Sequence, residues 1–167
     1  EKVQIENIAN EPEIDDLILY LNSAGAIIKE EKNKIIISKG LELIQKESFT
    51  IMSDRNELVT YATLAVASRG DVTIGPIDEK LISSFLEIMR QAGAGVEEIS
   101  NYKYRFFYKS EIKPINIETS PHPGFMTDWQ PSGAILMLKA NGESIIHERV
   151  FENRFSYLDL IYYIYHK

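Results

Sequence analysis

The fold of this chain is constrained most by a motif of small residues that ends one helical segment and then recurs at the end of another. Ala24-Gly25-Ala26 and Ala92-Gly93-Ala94 lie 92 − 24 = 68 residues apart, and apolar residues at helical spacing precede each of them. A second kind of helix is predicted to end at Gly70 and again at Gly142, 142 − 70 = 72 residues later. Solenoid repeats are roughly 20 to 50 residues long, so this longer period predicts a duplicated supersecondary block.

Each block contains a helix, a strand, a helix and two strands, and this alternation predicts an α/β fold. The first helix is predicted to begin at Asn10, which can form a capping box with Glu13 and has Pro12 in the first turn. A later helix is predicted to begin at Asp54, which can form the same box with Glu57. The predicted strands are Ala26–Lys29, Lys34–Ser38, Asp71–Ile74, Gly95–Ile99, Tyr102–Tyr108 and Glu143–His147. The predicted apolar helix faces are Ile14, Leu17, Ile18 and Leu21; Leu58, Ala62 and Ala65; and Ile82, Phe85, Leu86 and Met89.

Composition and charge exclude several classes of protein. The 167 residues are 44% hydrophobic and 26% charged, which is typical of a globular protein and not of a disordered one. Because the net charge is −7 and there is no basic block, a nucleic-acid partner is not expected. No membrane partner is expected either, since no apolar run approaches the ~20 residues of a spanning helix. The chain has no cysteine, and its three histidines lack metal-ligand spacing, so neither a disulfide nor a metal site is predicted. No cofactor fingerprint is present, and the absence of cysteine is compatible with the cytoplasm, which is the expected location.

The most unusual segment is the loop 119–130, in which two prolines and a glycine precede Asp128. Such a loop is rigid and irregular, and this one leads directly into a predicted helix. A carboxylate held at a helix start on a stiff loop is well placed for chemistry. Asp is also among the best N-cap residues, where it contributes about 1 kcal/mol. A cap and a catalytic group are therefore both open interpretations of Asp128.

Charged residues are concentrated in a second segment, 147–155, and at two helix starts. Arg154 lies among apolar residues after a predicted strand, where an arginine can bind a phosphate or carboxylate or can form a surface ion pair. Asp54-Arg55 and Glu11 lie at predicted helix starts, where acids cap the helix and complement its dipole. Composition alone favours the structural interpretation of all these residues.

Both ends of the chain have features that we interpret as cuts through a larger fold. The sequence begins directly in a predicted strand, and 156–167 has the pattern of a helix that has just begun. The apolar run Leu160–Tyr165 is poorly suited to water, and an unpaired strand edge is a liability. The alternative is a natural C-terminal helix that is buried against a partner.

Four motifs, in order and at similar spacing, resemble those of the UDP-N-acetylglucosamine 1-carboxyvinyltransferases. Residues 121–130, PHPGFMTDWQ, are similar to the P-x-P-G/A-F-x-T-D-x-Q loop of that family, and residues 150–155 match its V-F-E-N-R-F. Residues 5–14 resemble its I-E-N-A-A-x-E-P-E-I, and residues 54–60 its D-R-x-E-x-x-T. These motifs span almost the whole chain, which makes the resemblance more specific than any one of them.

The resemblance implies the inside-out α/β enolpyruvyl transferase fold, in which each of two globules is built from three βαβαββ units with the helices inside. The duplicated blocks are then parts of such units, and the fold in this chain is partial. Residues 1–52 would be the last unit of the first globule. Residues 53–167 would be the first one and a half units of the second globule, and the chain would need the rest of the two-globule enzyme.

The same resemblance implies transfer of the enolpyruvyl group from phosphoenolpyruvate to the 3-hydroxyl of UDP-N-acetylglucosamine, with release of phosphate. This is the first committed step of peptidoglycan precursor synthesis. Asp128 would orient the hydroxyl and accept its proton, and Arg154 would stabilise the negative charge that develops at the reacting centre. The backbone at Val150 would contact the N-acetyl sugar. The other residues implied to bind substrate are Asp54, Arg55 and Glu11.

The chain departs from the family pattern at Met126 and Trp129, where proline and an aliphatic residue are common. These two residues are expected to reshape the sugar pocket. The family's N-terminal Lys-Asn pair, its mobile Cys or Asp loop and its arginines for phosphoenolpyruvate fall outside this sequence, so the chain alone is expected to have no turnover. Three alternatives stay open: a shikimate-pathway enolpyruvyl transferase, a non-catalytic sugar-nucleotide-binding paralogue and a structural scaffold. The V-F-E-N-R-F motif favours the sugar-nucleotide branch over the shikimate branch.

Overall fold

The computed structural model describes residues 2–40 and 42–165, and it divides the chain into two units, one up to Ser53 and one from Asp54 onward. The strands are β1 (Lys2–Glu6), β2 (Ile27–Glu31), β3 (Lys34–Ser38), β4 (Asp71–Ile74), β5 (Gly95–Ser100), β6 (Lys103–Phe107), β7 (Asn116–Glu118) and β8 (Ile145–His147). The helices are α1 (Pro12–Ser23), α2 (Arg55–Ala67), α3 (Ser83–Gln91), α4 (Gln130–Met137) and α5 (Tyr157–Tyr165). Single 3₁₀ turns, Glu79–Leu81 and Thr127–Trp129, precede α3 and α4.

The unit up to Ser53 consists of α1 and a three-stranded antiparallel sheet in the order β1-β3-β2. β2 and β3 form a hairpin, and Asn33 in its turn has φ 62°, a left-handed conformation that asparagine tolerates. In the described part of this unit, only Ala24, Ile35 and Ile36 are buried.

The repeated Ala-Gly-Ala motif forms the same helix C-terminus after α1 and after α3. Gly25 has φ 109° and Gly93 has φ 82°, both in the left-handed region that favours glycine. The N–H of Ala26 donates to the carbonyl of Leu21 at 3.0 Å, and the corresponding N–H of Ala94 also donates across the last turn of its helix at 3.0 Å. These are the backbone bonds of a Schellman motif, so the sequence repeat marks a repeated helix-to-strand junction.

The unit from Asp54 onward contains two sheets. β4, β6 and β5 form an antiparallel sheet in that order, and β7 and β8 form a parallel pair connected through α4. Arg105 in β6 ties the first sheet together, because its guanidinium lies 2.5 Å from Asp71 in β4 and 3.1 Å from Glu97 in β5. Such cross-strand ion pairs favour one register over the alternatives.

Helices make up most of the core of this second unit. α2 buries residues on more than one of its faces, which is typical of a helix inside a domain. The predicted face of α3 is confirmed, since its residues and the preceding Ile82 are at most 2% exposed. The sheets contribute Tyr104, Phe106 and Ile117 to the same cluster. The α/β prediction is therefore confirmed, with helices inside and sheets packed against them.

Two predicted N-cap residues are wrong. α1 begins at Pro12 with Glu11 at the N-cap and no side-chain capping bond, so Asn10 is not the cap. The fixed φ of proline and its missing N–H favour the first helical position, which moves the start by one residue. The capping interpretation of Asp128 also fails, because this residue lies inside the 3₁₀ turn and Met126 takes the capping position.

The predicted apolar face of α1 is only partly buried. Leu17, predicted to face a core, is 51% exposed.

The helix predicted over 156–167 is confirmed for Tyr157–Tyr165, and its last two residues lie outside the described part of the chain. Its apolar side chains Leu160, Tyr162 and Ile164 are exposed. Within the described residues, no helix has both the length and the apolar character needed to cross a bilayer.

Candidate functional site

The loop that carries Asp128 is held by a bond within itself and by one to α3. The N–H of Ser120 donates to the carbonyl of Phe125 at 2.9 Å, which closes the loop. The hydroxyl of Ser84 in α3 donates to the carbonyl of Gly124 at 2.9 Å. These bonds fix the loop on the helical core, as the prolines in its sequence predict.

Asp128 and Arg154 form an ion pair between the two segments that the sequence analysis selects. Nη2 of Arg154 donates to Oδ1 of Asp128 at 2.5 Å. The side chain of Arg154 is 30% exposed and that of Asp128 is 48% exposed, so solvent reaches the pair. The guanidinium carbon also lies 5.2 Å from the ring centre of Phe151, a cation–π distance. The structure thus brings together the two residues predicted to be catalytic.

A second carboxylate, that of Glu148 just after β8, joins the same two segments. Three hydrogen bonds reach its Oε1 and two reach its Oε2. The donors to Oε1 are the Thr119 hydroxyl at 2.9 Å and the backbone N–H groups of Val150 at 2.8 Å and Phe151 at 3.0 Å. The donors to Oε2 are the Thr127 hydroxyl and the Gln130 side-chain amide, both at 2.9 Å.

This arrangement keeps Glu148 ionised. Burial raises the pKa of its carboxyl group. Hydrogen bonds from the N–H groups of Phe151 and Val150 and from the threonine hydroxyls lower this pKa, because they stabilise the charged form. The net effect is a pKa below the ordinary value of 4.5. At neutral pH the site therefore contains a charged, fully hydrogen-bonded carboxylate beside the Asp128–Arg154 pair.

Arg55 is in the interior, at 1% exposure. Its Nη1 lies 3.1 Å from Nδ1 of His122, and its guanidinium carbon lies 5.8 Å from the ring centre of Trp129. Because arginine has only donors, Nδ1 of His122 accepts, which places the imidazole proton on Nε2. Arg55 therefore holds the loop from inside in this structure, and its contact with a substrate stays a prediction.

Trp129 is also a core residue, at 1% exposure. Its indole N–H donates to the Asn56 side chain at 2.8 Å, and its ring meets Phe125 edge to face at 5.6 Å. Met126 is partly buried against the same cluster. The expectation that Trp129 reshapes a sugar pocket is therefore wrong, because its side chain faces the packed interior.

The remaining predicted site residues have different surroundings. Asp54 is exposed and caps α2, since its Oδ1 accepts from the N–H of Asn56 at 2.7 Å and of Glu57 at 3.1 Å. Val150 is 37% exposed and gives its N–H to Glu148. Glu11 belongs to the other unit, where it immediately precedes α1.

Glu148 is the site residue that sequence reasoning misses. It lies in a segment, 147–155, that mixes charged and apolar residues and is typical of a solvated strand end, and its three side-chain donors lie 18 to 29 residues away. No local pattern identifies such a network. No cluster of three or more metal-ligating side chains occurs among residues 2–40 and 42–165.

Known proteins share both the sequence and the fold. The family model described as EPSP synthase (3-phosphoshikimate 1-carboxyvinyltransferase) matches residues 1–161. The UDP-N-acetylglucosamine 1-carboxyvinyltransferase of Protochlamydia amoebophila is 37% identical over 158 residues, which cover 94% of this chain and 34% of that protein. The enzyme of that name from Kosmotoga olearia is 39% identical, over 95% of this chain and 37% of its own length. The chain thus spans about a third of the length of these relatives.

The crystal structure of the enolpyruvyl transferase NikO from Streptomyces tendae superposes on 96% of this chain and 39% of that one, with a TM-score of 0.79. At 21% sequence identity this likeness concerns the fold alone, and it confirms the predicted enolpyruvyl transferase fold. With a family match over almost the whole sequence and a shared fold, the chain belongs to the EPSP synthase family of enolpyruvyl transferases.

Proposed function

We propose that this chain is part of an enzyme that transfers the enolpyruvyl group of phosphoenolpyruvate to the 3-hydroxyl of UDP-N-acetylglucosamine and releases phosphate. The observation that carries the proposal is the accessible Asp128–Arg154 pair on a fixed loop. The names of the similar enzymes and the motifs at 121–130 and 150–155 support the same substrates. In this proposal the protein works in the cytoplasm, at the first committed step of peptidoglycan precursor synthesis.

Asp128 is the proton acceptor in this proposal. A sugar hydroxyl is a weak nucleophile, and a carboxylate within hydrogen-bond reach can orient it and take its proton as the oxygen attacks. Oδ1 of Asp128 accepts from Arg154, so Oδ2 is the oxygen that takes the substrate proton. Once Asp128 is neutral, the guanidinium of Arg154 is left to stabilise the negative charge that develops at the reacting centre.

Val150 supplies a backbone contact to the N-acetyl sugar. Its N–H is donated to Glu148 at 2.8 Å, so the backbone group that meets the sugar is the carbonyl oxygen. A carbonyl accepts hydrogen bonds, which fits the amide N–H of an N-acetyl group. Asp54 lies exposed at the start of α2, where it caps the helix and adds negative charge to the same unit.

The chain alone is expected to lack turnover. Phosphoenolpyruvate carries several negative charges, and the arginines that bind it in the family fall outside this sequence. The chain has a net charge of −7, Arg55 is buried and Arg154 is paired with Asp128, so the site offers little uncompensated positive charge to a second anion. Activity therefore requires the remaining parts of the two-globule enzyme.

The test is phosphate release by the intact enzyme, with phosphoenolpyruvate and one of two acceptors. We expect release with UDP-N-acetylglucosamine, none with 3-phosphoshikimate, and none from the 167-residue chain with either acceptor. Release with 3-phosphoshikimate alone would assign the protein to the shikimate branch. Binding of UDP-N-acetylglucosamine without phosphate release would identify a non-catalytic paralogue, and absence of binding would leave a structural scaffold.

A further inference from the structure

We infer that Glu148 is a positioning residue, which holds the backbone of Val150 in register with the Asp128–Arg154 pair. The inference rests on the proposed function, because the register matters only if a sugar binds to both. It assigns a role in substrate placement to a side chain that need not touch the substrate.

The connectivity of the hydrogen bonds supports this role. On one side, Glu148 binds the hydroxyl of Thr127, the residue immediately before Asp128, at 2.9 Å. On the other, it binds the N–H groups of Val150 and Phe151 at 2.8 and 3.0 Å. A single carboxylate therefore connects the segment that carries the proposed proton acceptor to the segment that carries the proposed sugar contact.

The chemistry of the network requires an ionised carboxylate. All five groups that meet Glu148 are donors, and a carboxylate has no proton of its own to conflict with them. Bonds to an ionised acceptor are also roughly twice as strong as neutral ones. Gln130 depends on this acceptor, because its side chain is buried and its Oε1 has no partner within the described part of the chain. The amide of Gln130 is thus oriented by Glu148.

The further donors stiffen the same junction. Thr119, at 0% exposure, donates its hydroxyl to Glu148 and accepts the N–H of Arg149 with the same oxygen, both at 2.9 Å. Two of the buried donors, Thr119 and Gln130, therefore lie at opposite ends of the loop that precedes α4. Because Glu148 is hydrogen-bonded to both ends of this loop, the position of its carboxylate fixes the position of the loop, as a positioning residue must do.

Glu148→Gln tests the inference with little change in shape. Three donors hold Oε1 in place, so the new NH₂ group takes the position of Oε2 and faces the Thr127 hydroxyl and the Gln130 amide, which are both donors. We expect kcat with UDP-N-acetylglucosamine to fall by about 10- to 100-fold, since displacement of a catalytic group by about 1 Å costs on that order. The KM for phosphoenolpyruvate should change by less than about twofold, because the family's arginines for that substrate lie elsewhere.

Two further variants keep the test decisive. Thr127→Val removes one donor from the opposite side and should change kcat in the same direction by less, even if Glu148→Gln folds poorly. Glu143→Gln is the matched control, an exposed glutamate before the same strand, and should leave kcat unchanged. If Glu148→Gln and Thr127→Val both turn over like Glu143→Gln, the positioning role is overturned and the proposed function stands.

A spectroscopic measurement decides the inference when turnover is absent. In ¹⁵N NMR spectra of the intact enzyme, the Arg154 side-chain N–H signals should be slowed in exchange by the bond to Asp128. Glu148→Gln and Thr127→Val should speed this exchange, and Glu143→Gln should not. Unaltered exchange in both site variants would overturn the inference. The absence of phosphate release by the unaltered intact enzyme would overturn only the proposed function.

Discussion

Trp129 determines where its neighbour Asp128 is held. The indole ring is buried against Phe125 and Phe85, and its N–H donates to Asn56 at the start of α2. Asp128 immediately precedes Trp129 and is itself exposed. The loop therefore directs the Asp128 side chain toward solvent and the Trp129 side chain into the core. The position of the proposed proton acceptor therefore depends on core packing.

We expect Trp129→Ala to lower the free energy of unfolding by about 3 to 5 kcal/mol, as for large aromatic residues truncated in a core. Asn56→Ala removes only the hydrogen bond and should cost about 1 kcal/mol. Both values can be measured by urea denaturation, with Tyr61→Ala on the exposed side of α2 as a control within about 0.5 kcal/mol of the unaltered chain. A Trp129→Ala variant as stable as Tyr61→Ala would contradict the burial that we describe.

At this scale the sequence predicts part of the site. Asp128 and Arg154 follow from family motifs, and the structure places them in contact. Arg55 belongs to a motif that matches the family equally well, yet its side chain is buried against His122. A sequence motif identifies a residue but does not show which way its side chain points. Glu148 is missed for a different reason, since its donors come from distant positions and only the tertiary fold assembles them.

Among the secondary-structure elements, α2 determines how Asp54 and Arg55 are presented. Asp54 accepts two N–H groups of the first turn with one oxygen, and Arg55 in that turn points inward. The cap satisfies donors that would otherwise have no intrahelical partner. Asp54 therefore has a structural role that any test of substrate binding must separate from its charge.

Asp54→Ala is expected to lower the free energy of unfolding by about 1 kcal/mol, because the cap is lost. Asp54→Asn keeps an oxygen that can cap the helix and should cost only a few tenths of a kcal/mol by the same reasoning. Thermal denaturation of the three proteins measures both values. If Asp54→Asn is stable but weakens binding of UDP-N-acetylglucosamine to the intact enzyme, the charge has the substrate role; equal losses of stability in both variants would contradict the capping role.

The boundaries of the elements are predicted best where backbone chemistry is local. The strands Lys34–Ser38 and Asp71–Ile74 match the prediction at both ends, and the repeated Ala-Gly-Ala motif marks two helix ends correctly. Helix starts are predicted less well. At α1 two neighbouring residues, Asn10 and Glu11, are candidates for the cap, and before α4 Met126 takes the cap while Asp128 lies inside the 3₁₀ turn.

At the scale of the whole molecule, buried residues are distributed unequally between the two units. In the described residues, the unit up to Ser53 buries three, whereas the unit from Asp54 onward contains the continuous core of α2, α3, α4 and the sheets. The division at this point is a property of the structure. The assignment of the first part to the last βαβαββ unit of one globule, and of the second part to one and a half such units of the next globule, stays a prediction.

The duplication seen in the sequence has a physical basis in this second unit. The fold places apolar helices inside and covers them with sheets, so each block must supply both a helix buried on several faces and strands to pack on it. The site lies where loops leave this core, between the segment before α4 and the segment after β8. The family resemblance predicts this architecture; the periodicity alone predicts only a repeated α/β block.

The central claim is that the Asp128 carboxylate accepts the proton of the sugar hydroxyl, and phosphate release by the intact enzyme carrying Asp128→Asn tests it most directly. Asparagine keeps the size of the side chain and an oxygen for Arg154 but cannot take a proton, so we predict that kcat falls by about 10²- to 10⁴-fold while UDP-N-acetylglucosamine still binds. Asp71→Asn, which alters the exposed pair with Arg105, is the matched control and should keep full activity. A rate for Asp128→Asn equal to that of the control would contradict the account.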